Sequence, residues 1–233
     1  MTLDADKILY ASLVGLAFLL TRIPYVGKFF RLIDTMVHES AHAFMALLFS
    51  GSVERIDLFA NTEGQAVTRT KGRFAWIMIS LAGYPGSSLV AFMLFCLLRL
   101  QLFNVVLYVL AGICLVNLVL WVRNAYGIFF VLLFGAACGG LVYLDNLLLT
   151  KCAAVLFSSL LWMDALVSSC IILYLSVTQS KNSGDAWNLQ QSTHIPAFFW
   201  GLLFAVQAVA FSWLTLALFF PLPLPQFLQH WFT

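Results

Sequence analysis

His38, Glu39 and His42 fall within the heptapeptide VHESAHA, and their spacing defines a chemistry before any fold is considered. On a helix, positions four apart lie about 40° apart in azimuth and about 6 Å apart along the axis. The two imidazoles therefore project from one face, close enough to ligate one cation. Glu39 stands beside them, where it can reach a water on that cation without being a ligand itself. This is an arrangement for metal-assisted hydrolysis. A catalytic zinc ion takes at least one more protein ligand and keeps a position open for water. Asn124 in NLVLWVRNAYG, Asp145, Asp164, and Asp185 in SGDAW are the available donors, and spacing does not choose among them.

The segment that carries these groups, LIDTMVHESAHAFMALLFSG, is otherwise apolar enough to enter lipid. An ionisable side chain there costs at least ~2.5 kcal/mol and marks function by default. The whole chain shares the character: 62% of its 233 residues are hydrophobic and 9% charged, with a mean hydropathy of +0.96. An ordinary soluble domain carries roughly 25% charged residues, so the composition is that of an integral membrane protein. A net charge of +2 is too small and dispersed for a nucleic-acid surface. Cys96, Cys114, Cys138, Cys152 and Cys170 lie in or beside apolar runs without C-x-x-C spacing, so neither a disulfide framework nor a thiolate zinc site is indicated and they read as small apolar core residues. MTLDADK carries more acid than base and no small-residue cleavage site follows, so the first apolar run is expected to be retained.

Seven stretches approach the roughly 20 apolar residues that cross a hydrocarbon core: 8–27, 31–50, 74–98, 102–122, 125–149, 153–178 and 196–220. The clean apolar part of the first ends at Arg22, short enough to lie in the interface instead. The expected fold is an all-α integral membrane protein of about six to seven transmembrane helices, one domain over residues 1–233. Between the second and third runs, VERIDLF and QAVTRT flank the turn-forming NTEG and predict a β-hairpin at the membrane edge. The polar connection SKNSGDAWNLQQSTHIP (180–196) leads into the last run through Pro196 and reads as a solvated loop apart from Asp185. LAGYPGSSL (81–89) sets small residues in an apolar helix, which suits close helix packing or leaves backbone room for substrate next to a metal. His194 and His230 sit near expected membrane boundaries, and the tail PLPLPQFLQHWFT predicts an extended end.

HESAHAFMALLFSGSVERIDLF resembles the H-E-x-x-H-A helix, small apolar stretch, glycine and β-prone run of site-2 protease-like membrane zinc metallopeptidases. GQAVTR, LAGYPGSSL, WVRNAYG (121–127) and SGDAWNLQQSTHIPAFFW (183–200) resemble the blocks of a short bacterial branch of that group. The resemblance covers most of residues 30–200 and is more specific than H-E-x-x-H alone. Elsewhere in the group the third ligand is an Asp in an N-x-x-P-x-x-P-L-D-G type segment. The counterpart here has Asn124 near the Asp position and no prolines, and an uncharged amide oxygen is a poor zinc ligand. The S-G-D-A block, which looks like a feature of the branch, favours Asp185 as the third ligand, with Asp164 next.

What the resemblance implies is a Zn2+ ion held by His38, His42 and Asp185, with Glu39 as general base and Asn124 contacting substrate. Arg123 is either a further oxyanion contact or an interfacial anchor. The implied partners are the lipid bilayer and membrane-spanning protein substrates, with no nucleic acid. The implied location is the bacterial inner membrane, with multiple passes. The competing expectations are a noncatalytic relative acting as chaperone or scaffold, for which Asn124 argues, and zinc transport, which the few polar residues in the other runs disfavour.

Overall fold

The computed structural model describes residues 3–220, so the tail from Pro221, with His230, lies outside the described residues. Eight α-helices and one hairpin follow one another: α1 (Leu3–Arg22), α2 (Val26–Leu48), β1 (Ser52–Leu58), β2 (Gly64–Arg69), α3 (Arg73–Arg99), α4 (Phe103–Val116), α5 (Ala125–Tyr143), α6 (Leu147–Thr178), α7 (Asp185–Thr193) and α8 (Ala197–Ala217). A π-helical stretch, Asn117–Trp121, continues α4.

Among the described residues, five helical stretches are long and apolar enough to cross a membrane. They are α3, α4 with its π-helical extension, α5, α6 and α8. The protein is therefore a multi-pass membrane protein. The first two apolar runs behave differently from the other five. They form a bent pair, Ile8–Arg22 and Val26–Leu48, that turns through 106° and counts as one further span only when taken together. Pro24 explains the break, since it disfavours helical backbone at Ile23, and Tyr25 takes up a positive φ of 66°. Lys28, Arg31, Asp34 and Glu39 then make α2 the least apolar of the long helices.

Two other differences from the sequence reading are local. The break expected near 150–152 falls at 144–146, where Asp145 adopts a left-handed φ of 48° and Asn146 caps α6 by accepting from the Leu149 amide. The polar connection holds the nine-residue helix α7 in place of a plain loop. Its Ala186 and Leu189 are fully buried in a cluster with Tyr84, Ile172, Ala197 and Phe204. Two apolar side chains one turn apart suffice to dock so short a helix, although its mostly polar sequence hides the signal.

The hairpin forms where β-branched residues flank the turn, pairing Ser52 with Arg69 through Leu58 with Gly64 with an irregularity between Val53 and Arg55. The outer edge of β1 is occupied by residues 122–124. Val122 bridges Ile56 in parallel, and the Arg123 amide donates to the Ile56 carbonyl. The Asn124 side chain accepts from the Leu58 amide at 3.0 Å and donates to the Leu58 carbonyl at 2.6 Å. Its amide thus imitates one more residue of strand. Asn124→Ala would leave both buried Leu58 groups unpaired, at a cost on the order of 2 kcal/mol. Asn124→Asp would remove only the donor. Both variants are expected to lower the thermal unfolding midpoint in detergent.

Candidate metal centre

α2 presents His38 and His42 from one face, as their spacing requires. The Nδ1 of His42 donates to the Ile79 carbonyl at 2.6 Å, which leaves Nε2 as the free lone pair. That nitrogen lies 3.0 Å from His38 Nε2, and Asp185 Oδ2 lies 3.2 Å from each of the two. Gly184, with a φ of 49°, places Asp185 as the first residue of α7, a helix end that favours an anion. Burial pushes the Asp185 carboxyl up, but the adjoining imidazoles outweigh it and hold that carboxyl well below the usual carboxylate range.

Three lone-pair atoms this close repel one another unless a proton or a cation lies among them. Tetrahedral zinc with ligands at roughly 2.0–2.1 Å separates its donors by about 3.3 Å, close to the spacing found here. Two imidazoles and one carboxylate also leave a position for water, so the residues present fit zinc. Among the described residues, His38, His42 and Asp185 form the one group of His, Cys, Asp and Glu able to hold a metal ion.

Other candidates lie elsewhere. Asp164 pairs with the Arg31 guanidinium at 2.9 Å, Asp145 occupies the α5–α6 turn, and His194 is the left-handed C-cap of α7. Asn124 is engaged with Leu58 and is not in the cluster. Arg123 donates to the carbonyls of Leu118, Val119, Leu120 and Val122, closing the π-helical end.

The cluster opens into a cleft of about 510 Å³. Glu39, 7% exposed, enters it beneath the start of β2, where a Cβ on Gly64 would come within 2.8 Å of its Oε1. Gly64, Gln65, Ala66 and Thr68 of β2 also line it, together with Tyr84, Trp76 and Asn188. Tyr84 sets its ring edge-on to His38 at 4.6 Å between centroids.

The Peptidase M50B-like family matches the chain over residues 10–215. The chain belongs to this site-2 protease-like family. No curated protein and no solved structure gives a match. For an M50B-like protein, the stretch LAGYPGSSL acquires a specific purpose. A Cβ on Gly83 would overlap the His38 ring and come within 2.7 Å of His42 Nε2, while one on Gly86 would collide with Ala41 Cβ. The sequence showed small residues but not which ones face imidazoles. Gly83→Ala is expected to weaken zinc binding by roughly the 10–100-fold of a displaced ligand shell. Gly86→Ala should instead lower stability at unchanged affinity, and chelator competition beside thermal melts separates the two.

Proposed function

We propose that this protein is a zinc-dependent endopeptidase that hydrolyses peptide bonds of membrane-spanning substrates. The observation that carries the reading is the convergence of His38, His42 and Asp185 in a cleft that also holds Glu39 and one edge of β2. Zinc, when bound, supplies the Lewis acidity that makes water a nucleophile at neutral pH and polarises the scissile carbonyl. Glu39 takes the proton from the attacking water and returns it to the leaving amide nitrogen. Its position under Gly64 places that carboxylate beside the strand against which substrate would lie.

A transmembrane helix hides its carbonyls in its own hydrogen bonds, so it must unwind before attack. The β2 edge offers amides and carbonyls that an extended segment can pair with, since β1 occupies its other side. Asn124 acts on substrate indirectly, by fixing β1 and through it β2. The scaffold alternative drew its support from an amide where a ligand carboxylate was expected. Asp185 beside the two histidines offers a carboxylate where that alternative assumed none, which supports the enzyme reading.

The test is metal analysis of purified protein together with His38→Ala. One zinc per chain in the parent and its loss in the variant are expected. A zinc content that stays level in His38→Ala would overturn the site.

A further inference from the structure

The two histidines are held unequally. His42 Nδ1 is fixed by the Ile79 carbonyl. His38 also turns its Nε2 to the cluster, yet among the described residues nothing hydrogen-bonds its Nδ1. When Nε2 offers its lone pair to a cation, Nδ1 must carry the proton, so His38 holds a donor in need of an acceptor.

One helical turn earlier lies Asp34, 4% exposed. Its Oδ2 accepts from Ser168 at 3.3 Å, and its Oδ1 has no hydrogen-bond partner. Arg31, the nearest cation on the same helix, commits its guanidinium to Asp164. The Ser87 hydroxyl of α3 faces Asp34 as a second donor within reach, outside good hydrogen-bond geometry and with no other partner. Helical side chains lean toward the N-terminus, so the His38 ring overhangs the turn that Asp34 begins. A buried acceptor lacking a donor and a donor lacking an acceptor thus occupy one face of one helix.

We propose that Asp34 is the positioning residue of the metal centre. Its Oδ1 accepts the Nδ1 proton of His38, directly or through one water, and so fixes the tautomer and tilt of that ring. This rests on the reading of the cluster as a zinc site. Ligating histidines commonly donate their second nitrogen to a carboxylate, carbonyl or water, and the carboxylate raises the basicity of the ligand. His42 would then use a carbonyl and His38 a carboxylate.

The experiment uses the full chain in detergent, with zinc affinity read by chelator competition and Co2+ substituted for visible spectra. Asp34→Ala is expected to weaken zinc binding by about 10–100-fold. Asp34→Asn, which keeps shape and an acceptor oxygen but no charge, should fold with the parent's apo melting midpoint, weaken zinc several-fold and shift the Co2+ bands. Ser87→Ala should do none of these. Zinc affinity and Co2+ spectrum in Asp34→Asn equal to the parent's would overturn the proposal while leaving the zinc site standing. A parent without His38-dependent zinc would overturn the functional reading and this inference together.

Discussion

Glu39→Gln should fold, retain its zinc and lose cleavage by a factor of about 10²–10⁴, the usual contribution of a positioned acid–base group. The amide matches the carboxylate in shape, so the packing beneath Gly64 is preserved, but it has no basic oxygen to take a proton from water. Its position supports separating the two readouts. Glu39 borders the cleft but is not one of the three clustered donors, so metal content should be indifferent to the exchange. Cleavage of a membrane-spanning reporter, measured beside metal stoichiometry, tests both halves. An unchanged cleavage rate would refute the assignment of Glu39, and a loss of zinc would make it a ligand.

Asp185→Ala should release the metal, with a loss of affinity exceeding the about 10–100-fold typical of an outer-shell change. Two imidazoles without a carboxylate leave the cation with no anionic partner, and cleavage should fall in parallel with occupancy. Asp185→Asn should also fail, because it supplies an oxygen at the same place without charge. Asp164→Asn is the informative control. It breaks the Arg31 pair, 2.9 Å in length and outside the group of three donors, and is expected to lower stability while zinc stays bound. Retention of zinc in Asp185→Ala, or its loss in Asp164→Asn, would move the third ligand.

The legible parts of the molecule were those with a short-range signature. Apolar run length located α3, α4, α5, α6 and α8, and NTEG between β-branched runs located the hairpin. The spacing of His38 and His42 fixed their common face on α2. What stayed hidden depended on contacts between distant residues. Nothing around Asn124 announces that it will imitate a strand residue against Leu58, 66 positions away. The approach of Asp185 to His38 spans 147 positions, and only the resemblance singled it out. The 106° bend between α1 and α2 was missed because each run was apolar when read alone. The charges of α2 hinted that it was no ordinary span.

The glycines of α3 also bear on motion. Where Gly83 meets the imidazoles and Gly86 meets the Ala41 Cβ, the α3 backbone abuts α2 directly, with no α3 side chain between them to change rotamer. That wall of the cleft is rigid, because interlocked surfaces of this kind resist sliding. On the peptidase reading, the widening that admits a polypeptide would come from the β2 edge, since α7 is itself docked on Tyr84 of α3 through Ala186 and Leu189.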